Sequence, residues 1–173
     1  MKLTKNIIIL LLMLFVFSCM KDDKLAFYQS QYTGNQLRID GFYYQKSDSI
    51  YYSVLCFYRN GVLLYIGNRY TPSQLADLKN RIIDGSFYSS IRDKKDSWGA
   101  FKITNSGIDF QKWESASKKH YIANDYSGEI INDSTFRITR YMRVNKTNVT
   151  QADELYIFMK FSPKPDSTNS FVN

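Results

Sequence analysis

A chain of 173 residues is about one domain's worth, and its 44% hydrophobic content is enough to bury a core. The net charge of +7 comes from basic residues scattered along the chain, the densest runs being Arg92-Asp93-Lys94-Lys95 and Lys118-Lys119-His120, so the clustered basic face that nucleic acid requires is missing. Fourteen Tyr and twelve Phe point to strands, because aromatic rings suit a pleated, half-buried surface.

The N-terminus reads as an export signal. Lys2 and Lys5 precede an uncharged apolar run from Ile7 to Phe17, which is short of the roughly 20 residues of a comfortable bilayer span. Ser18 then offers a small residue at the break. Val16, Ser18 and Cys19 resemble the end of a bacterial lipobox, which implies cleavage after residue 18 and lipid on the sulfur of Cys19. A single acyl chain, such as palmitate, holds a protein only marginally, whereas two or three make a stable anchor. Removal of residues 1–18 from 173 leaves 155. Behind the cysteine, Lys21-Asp22-Asp23 resembles a mark for export to the outer face of the outer membrane in Bacteroidota; the alternative is an ordinary hydrophilic tether. With Cys19 lipidated, Cys56 in the apolar "YYSVLCFY" has no partner for a disulfide and is expected to be a small buried core residue.

Residues 19–36 form the lipidated N-terminus and a polar tether, and the first strand is expected over Leu37–Tyr44. A second follows over Ser49–Tyr58. Asn60-Gly61 before "VLLYIG" is a hairpin signal, expected as a type I′ turn because both residues tolerate positive φ. One helix comes next: Thr71 as N-cap, Pro72 at the first helical position and Gln74 at capping-box spacing. Leu75, Leu78 and Ile82 make one apolar face, and Asp84-Gly85 supplies the stop. Such a stripe suits a core better than a partner or a membrane surface. Hairpins are then expected about Thr104-Asn105-Ser106 and about Asn132-Asp133, with "ELYIFMKF" as the last strand. Residues 163–173 read as a polar tail, disordered at its end.

About eight strands joined mostly by short turns make an all-β antiparallel meander, and eight strands can close into a barrel that holds side chains or one small ligand. The succession "LRIDGFYY … FYRNG … WGAFKI … DFQKW … GEIINDSTFRIT … FSPKPDSTN" resembles that of small lipocalin-like lipoproteins of the Bacteroidota, over Leu37 to Asn169. The resemblance implies a lipocalin-like barrel over residues 37–162 and a place in the cell envelope; it carries no catalytic residues to transfer. True lipocalins differ in order: their Gly-x-Trp stands on the first strand, and Trp98-Gly99 here is on the fourth.

Chemistry is sparse. The one histidine, His120, is the only candidate base for a Ser-His-Asp or Cys-His arrangement, and no nucleophile elbow accompanies it. No His, Cys or carboxylate grouping suggests a metal, and no phosphate-cradling loop is present, so no cofactor and no enzyme activity are expected. Asp125 and Glu129, four apart on one strand face, are the best carboxylate pair for glycoside hydrolysis. In "TFRITRYMRV", strict alternation places Arg140 on the apolar face with Phe136, Ile138 and Met142. An inward arginine must be paired; it meets an anionic ligand head group, a neighbouring carboxylate, or solvent at the barrel rim. Ser49, Ser134 and Ser167 each follow an Asp and precede Ile or Thr, which resembles the short O-glycosylation sequon of Bacteroidota. The expected partners are a membrane, reached through the lipid, and a small-molecule, lipid or glycan ligand. A barrel filled by its own side chains, serving structure or protein interaction, is the rival reading.

Overall fold

The structure, a computed structural model, describes residues 21–46, 51–117 and 120–172. Eight strands run in chain order: β1 (Gly41–Lys46), β2 (Tyr52–Phe57), β3 (Val62–Tyr70), β4 (Trp98–Thr104), β5 (Gly107–Ser117), β6 (His120–Asn132), β7 (Thr135–Arg143) and β8 (Val149–Lys160). Each pairs antiparallel with the next, and β8 returns to β1 with Gly41 opposite Lys160 and Tyr44 opposite Ile157, so the meander closes into a barrel. Closure removes the two outer edges that an open meander would leave.

Between β3 and β4 lies α1 (Pro72–Ile83), begun as the sequence predicts by a capping box in which Thr71 and Gln74 each satisfy the other's backbone N–H. A second short helix, α2 (Ser86–Ile91), and a 3₁₀ turn (Lys95–Ser97) follow it. The run "SFYSSI" is too short to show helical periodicity, so this turn is legible only in three dimensions. The Asn-Gly hairpin also differs from expectation. Only Gly61 has positive φ, at 79°, and Tyr58 bonds to Val62 across three loop residues, which is the type I turn with a following left-handed residue.

Two hydrophobic cores share the barrel wall. Inside lie Tyr43, Leu55, Phe57, Leu63, Phe101, Ile108, Phe110, Phe136, Ile138 and Tyr156. Their rings meet edge to face or stacked, with Phe57 centred 4.9 Å from Phe101 and Phe136 stacked on Tyr156 at 4.8 Å. The second core lies on the outside, where Val54, Cys56, Val62, Leu64, Trp98, Ala100 and Trp113 are covered by Leu78 and Ile82 of α1 and by Phe87 and Ile91 of α2. Alternation on β2–β5 therefore serves two cores, which is why these strands read as continuous apolar runs. The outer face of β8 meets solvent and exposes Leu155, Ile157 and Met159.

The chain before β1 is packed down along its length. Asp23 N–H bonds to the Tyr121 carbonyl, the Gln111 side chain accepts from the N–H groups of Ala26 and Phe27, and Tyr32 N–H bonds to the Arg59 carbonyl. The segment thus runs down the outer wall and then under the barrel, where Tyr32 and Leu37 plug one end. Leu37–Asp40 serve this plug instead of extending β1. The C-terminal tail also departs from the expected disordered end: Val172 is buried and its carbonyl accepts from Gln29 Nε2 at 2.7 Å.

Lys164 holds the tail at the plugged end. Its Nζ donates to the carbonyls of Ile39 (2.8 Å) and Phe57 and lies 4.0 Å from the centre of the Tyr58 ring. Burial depresses its pKa from 10.5 to about 8. Between these values the unfolded chain binds the proton and the folded one does not, so stability rises with pH across that window. Above pH 10 the phenols of Tyr43 and Tyr156, which burial raises above their ordinary value, oppose the gain. The free energy of unfolding, measured by urea denaturation, should climb from pH 8 to 10 by on the order of 2 kcal/mol. The climb should vanish in Lys164→Gln, which keeps a donor and cannot titrate.

Candidate functional site

The plugged end is filled with rings; the other end of the barrel is not. The inward face of β5 begins apolar, with Ile108 and Phe110, and then continues with Lys112 and Glu114. Register carries the same change round the wall. Tyr126 stands opposite Phe110, Tyr65 opposite Leu55, and Glu154 follows Tyr156 by alternation on β8. These side chains surround a cavity of about 240 Å³, which Gln45, Ser53 and Leu55 complete. The cavity stays open because β3 pairs with β4 only from Val62 to Leu64; beyond that point α1, α2 and the 3₁₀ turn intervene. A second hollow of about 370 Å³, lined by Ile66, Ile91, Lys94 and Asp96, shares Tyr65, Lys112 and Glu114 with the first.

The charges in this cavity are unevenly matched. Lys112 Nζ donates to Glu114 Oε1 at 2.7 Å and lies over the ring of Tyr65, 4.4 Å from its centre, and that of Tyr126 at 5.4 Å. Tyr126 also donates its hydroxyl to Glu114 in a short contact. Burial by itself would raise the Glu114 carboxyl, but Lys112 and these donated bonds hold it below its ordinary value. Glu154 is in the opposite position. Burial raises its carboxyl and the negative Glu114 adds to the rise, while the Tyr156 hydroxyl at 3.3 Å and the more distant Lys112 offset only part of it. The phenols of Tyr65, Tyr126 and Tyr156 are all pushed up by burial and stay protonated donors.

Arg140, expected inside, stands outside and exposed. Ile138 pairs with Gly128 on β6 and Arg140 with Ser127, leaving Thr139 as an extra residue in a bulge. One extra residue exchanges the faces of everything beyond it. Tyr141 therefore points inward and stacks on Tyr126 at 5.7 Å, and Arg140 takes the outer face. The Thr139 hydroxyl donates to the Ser127 carbonyl at 3.3 Å and fastens the bulge.

The remaining candidates are dispersed. Asp125 accepts from Gln111 Nε2 at 3.1 Å on the outer wall and Glu129 is exposed. Four residues of extended strand put them about 13 Å apart, beyond the separations used in glycoside hydrolysis. His120 Nδ1 lies 4.0 Å from Asp22 Oδ1 on the docked N-terminal segment. Cys56 is fully buried in the outer core, with its thiol pushed up to about 12 by burial. Among the described residues no group of three or more His, Cys, Asp or Glu is placed to hold a metal.

Lys21 is exposed, but the two acidic residues after it are docked on the wall. Asp22 accepts from Lys95 at 2.7 Å and from Tyr121 N–H at 2.9 Å; Asp23 takes Arg143 bidentately at 2.7 and 2.9 Å. These bonds, led by those from Lys95 and Arg143, hold both carboxyls below their ordinary value. Ser134 lies in the β6–β7 turn with its hydroxyl donating to Asp133 at 2.7 Å, and Ser167 accepts from Asn60 in the tail at 3.3 Å. Residues 1–18, Cys19 and Ser49 lie outside the described residues.

Sequence reasoning missed Lys112, Glu114 and Glu154, the polar groups of the cavity. A signal was available: counting by twos from Ile108 through Phe110 reaches both Lys112 and Glu114, and from Phe158 through Tyr156 it reaches Glu154. Comparison with family models, with curated proteins and with solved structures found no match.

Proposed function

We propose that this protein is a lipid-anchored, non-catalytic binding module of the bacterial outer membrane whose half-filled barrel takes a small polar ligand. The observation that carries the reading is the cavity of about 240 Å³ left at one end of an otherwise ring-packed interior, with charged and phenolic groups turned into it. A purely structural barrel would gain by filling that space with apolar side chains, as the plugged end does. The placement of Arg140 removes the reason for expecting an anionic ligand, since the cavity itself carries two carboxylates against one ammonium.

The envelope reading rests on the apolar run, Ser18 and Cys19 of the sequence. Asp22 docks at the open end only three residues after Cys19, and three extended residues reach about 11 Å. A lipid on Cys19 would therefore hold the open end of the barrel close to the membrane, with a free tether too short to matter. Surface display through Lys21-Asp22-Asp23, and O-glycans on Ser49, Ser134 or Ser167, belong to the same reading. The structural alternative draws on the other half of the interior, where Phe57, Phe101, Phe110 and Phe136 leave no room for a guest.

The test has two arms. Native mass spectrometry of protein lacking residues 1–19, purified from its host, should show a small adduct lost on denaturation; an invariably bare mass with every ligand class offered favours the structural barrel. Cys19→Ala should abolish labelling with a palmitate analogue and leave the signal uncleaved. Normal cleavage and release of that variant would overturn the anchor.

A further inference from the structure

The cavity already binds one ammonium ion, its own. Lys112 Nζ sits between the Glu114 carboxylate and the faces of Tyr65 and Tyr126, the arrangement by which aromatic cages hold organic cations. Glu154 is the second carboxylate of the same cavity, and among the described residues no ion pair includes it. It accepts a hydrogen bond from the Tyr156 hydroxyl. With Lys112, Glu114 and Glu154 all ionised the cavity carries one surplus negative charge, walled by rings. A half-buried carboxylate beside a second one, with only the already engaged Lys112 to offset it, is costly, and burial raises its pKa accordingly.

We infer that this cavity binds a small organic ammonium ion, its charge against Glu154 and its carbon skeleton against Tyr65, Tyr126 and Tyr156. The inference rests on the binding-module reading and adds the ligand's chemical class. Size agrees with it. A 150 Å³ cavity accommodates benzene, so 240 Å³ takes a molecule of about nine or ten non-hydrogen atoms. An anion would face two carboxylates and find its only ammonium already engaged. A neutral molecule of the same shape would leave Glu154 as it is.

Three probes of similar size separate these cases: choline, its uncharged carbon isostere 3,3-dimethylbutan-1-ol, and butyrate. Each is titrated into protein lacking residues 1–19 while the tyrosine ring resonances are followed by NMR. Choline should move those resonances and bind at least tenfold more tightly than the isostere, with butyrate weakest. Glu154→Gln should weaken choline at least tenfold and leave the isostere unchanged; the thermal midpoint of this variant should not fall, because a half-buried charge outside any ion pair has been removed. Arg140→Gln, on the outer wall, should bind choline as the wild type does. Equal or tighter binding of the isostere or of butyrate in this cavity overturns the cation inference while a binding module stands. Failure of all three probes, in a protein that still carries a native adduct, also overturns the inference alone; failure with a bare native mass removes the binding module as well.

Discussion

Phe57→Ala is expected to lower the free energy of unfolding by about 3–5 kcal/mol. The side chain has no exposure and sits where four rings converge, with Tyr43, Phe101, Phe110 and Phe136 centred 4.9–6.3 Å away. Removing it forfeits the transfer energy of a phenyl ring and the edge-to-face contacts, and leaves a hole walled by strands. A closed ladder of eight strands cannot shrink around a void without breaking pairs, so the cost should lie at the upper part of the range. Urea denaturation followed by far-UV circular dichroism measures it. A loss below about 1.5 kcal/mol, nearer a one-methylene change, would mean the interior can repack, contrary to the rigid ring packing described above.

The second large effect is expected at Gly128, where β6 passes the bulge of β7. A Cβ there would stand 1.9 Å from the Arg137 carbonyl oxygen and 2.8 Å from the Ile138 Cα. Both are backbone atoms, so no side chain can swing aside. Gly128→Ala must push β6 and β7 apart at the point where Thr139 is accommodated, at a cost of about 2–3 kcal/mol, large for a single methyl group. Its structural signature should be local: lost hydrogen-exchange protection at position 128 and in Ile138, with the β2–β3 hairpin across the barrel unaffected. Unchanged stability would show that the close approach of the two strands is not required. Because the bulge decides which residues face the cavity, the same variant should also disturb the stacking of Tyr141 on Tyr126.

Much of the architecture is local and was open to reading in one dimension. Thr71, Pro72 and Gln74 settle where α1 begins, since capping satisfies backbone groups within one turn of the chain. The turn residues between apolar runs mark the hairpins, and a chain of hairpins with eight strands has few ways to fold other than a meander. The burial of Cys56 follows from its place in an unbroken apolar strand. Sequence was sufficient for the place of these elements, though not for the short helix Ser86–Ile91 or for the type of the Asn60-Gly61 turn.

Facing and closure depend on neighbours far away in the chain. Arg140 reads as inward because strict alternation holds in an isolated strand, but whether alternation is interrupted is decided by how β7 fits β6, and there Gly128 and the Thr139–Ser127 bond favour a bulge. Polar segments before β1 and after β8 look like tethers, yet closing the barrel creates a plugged end for Tyr32 and Leu37 and buries carbonyls that Lys164 satisfies. The cavity is tertiary in the same sense. Sequence by itself determined the succession of strands, the capped helix and the places of the hairpin turns, because periodicity and capping are properties of short stretches. Only the tertiary structure decided that Lys112, Glu114 and Glu154 share one space, because the residues that bring β5 and β8 across from each other are the register pairs of every strand between them.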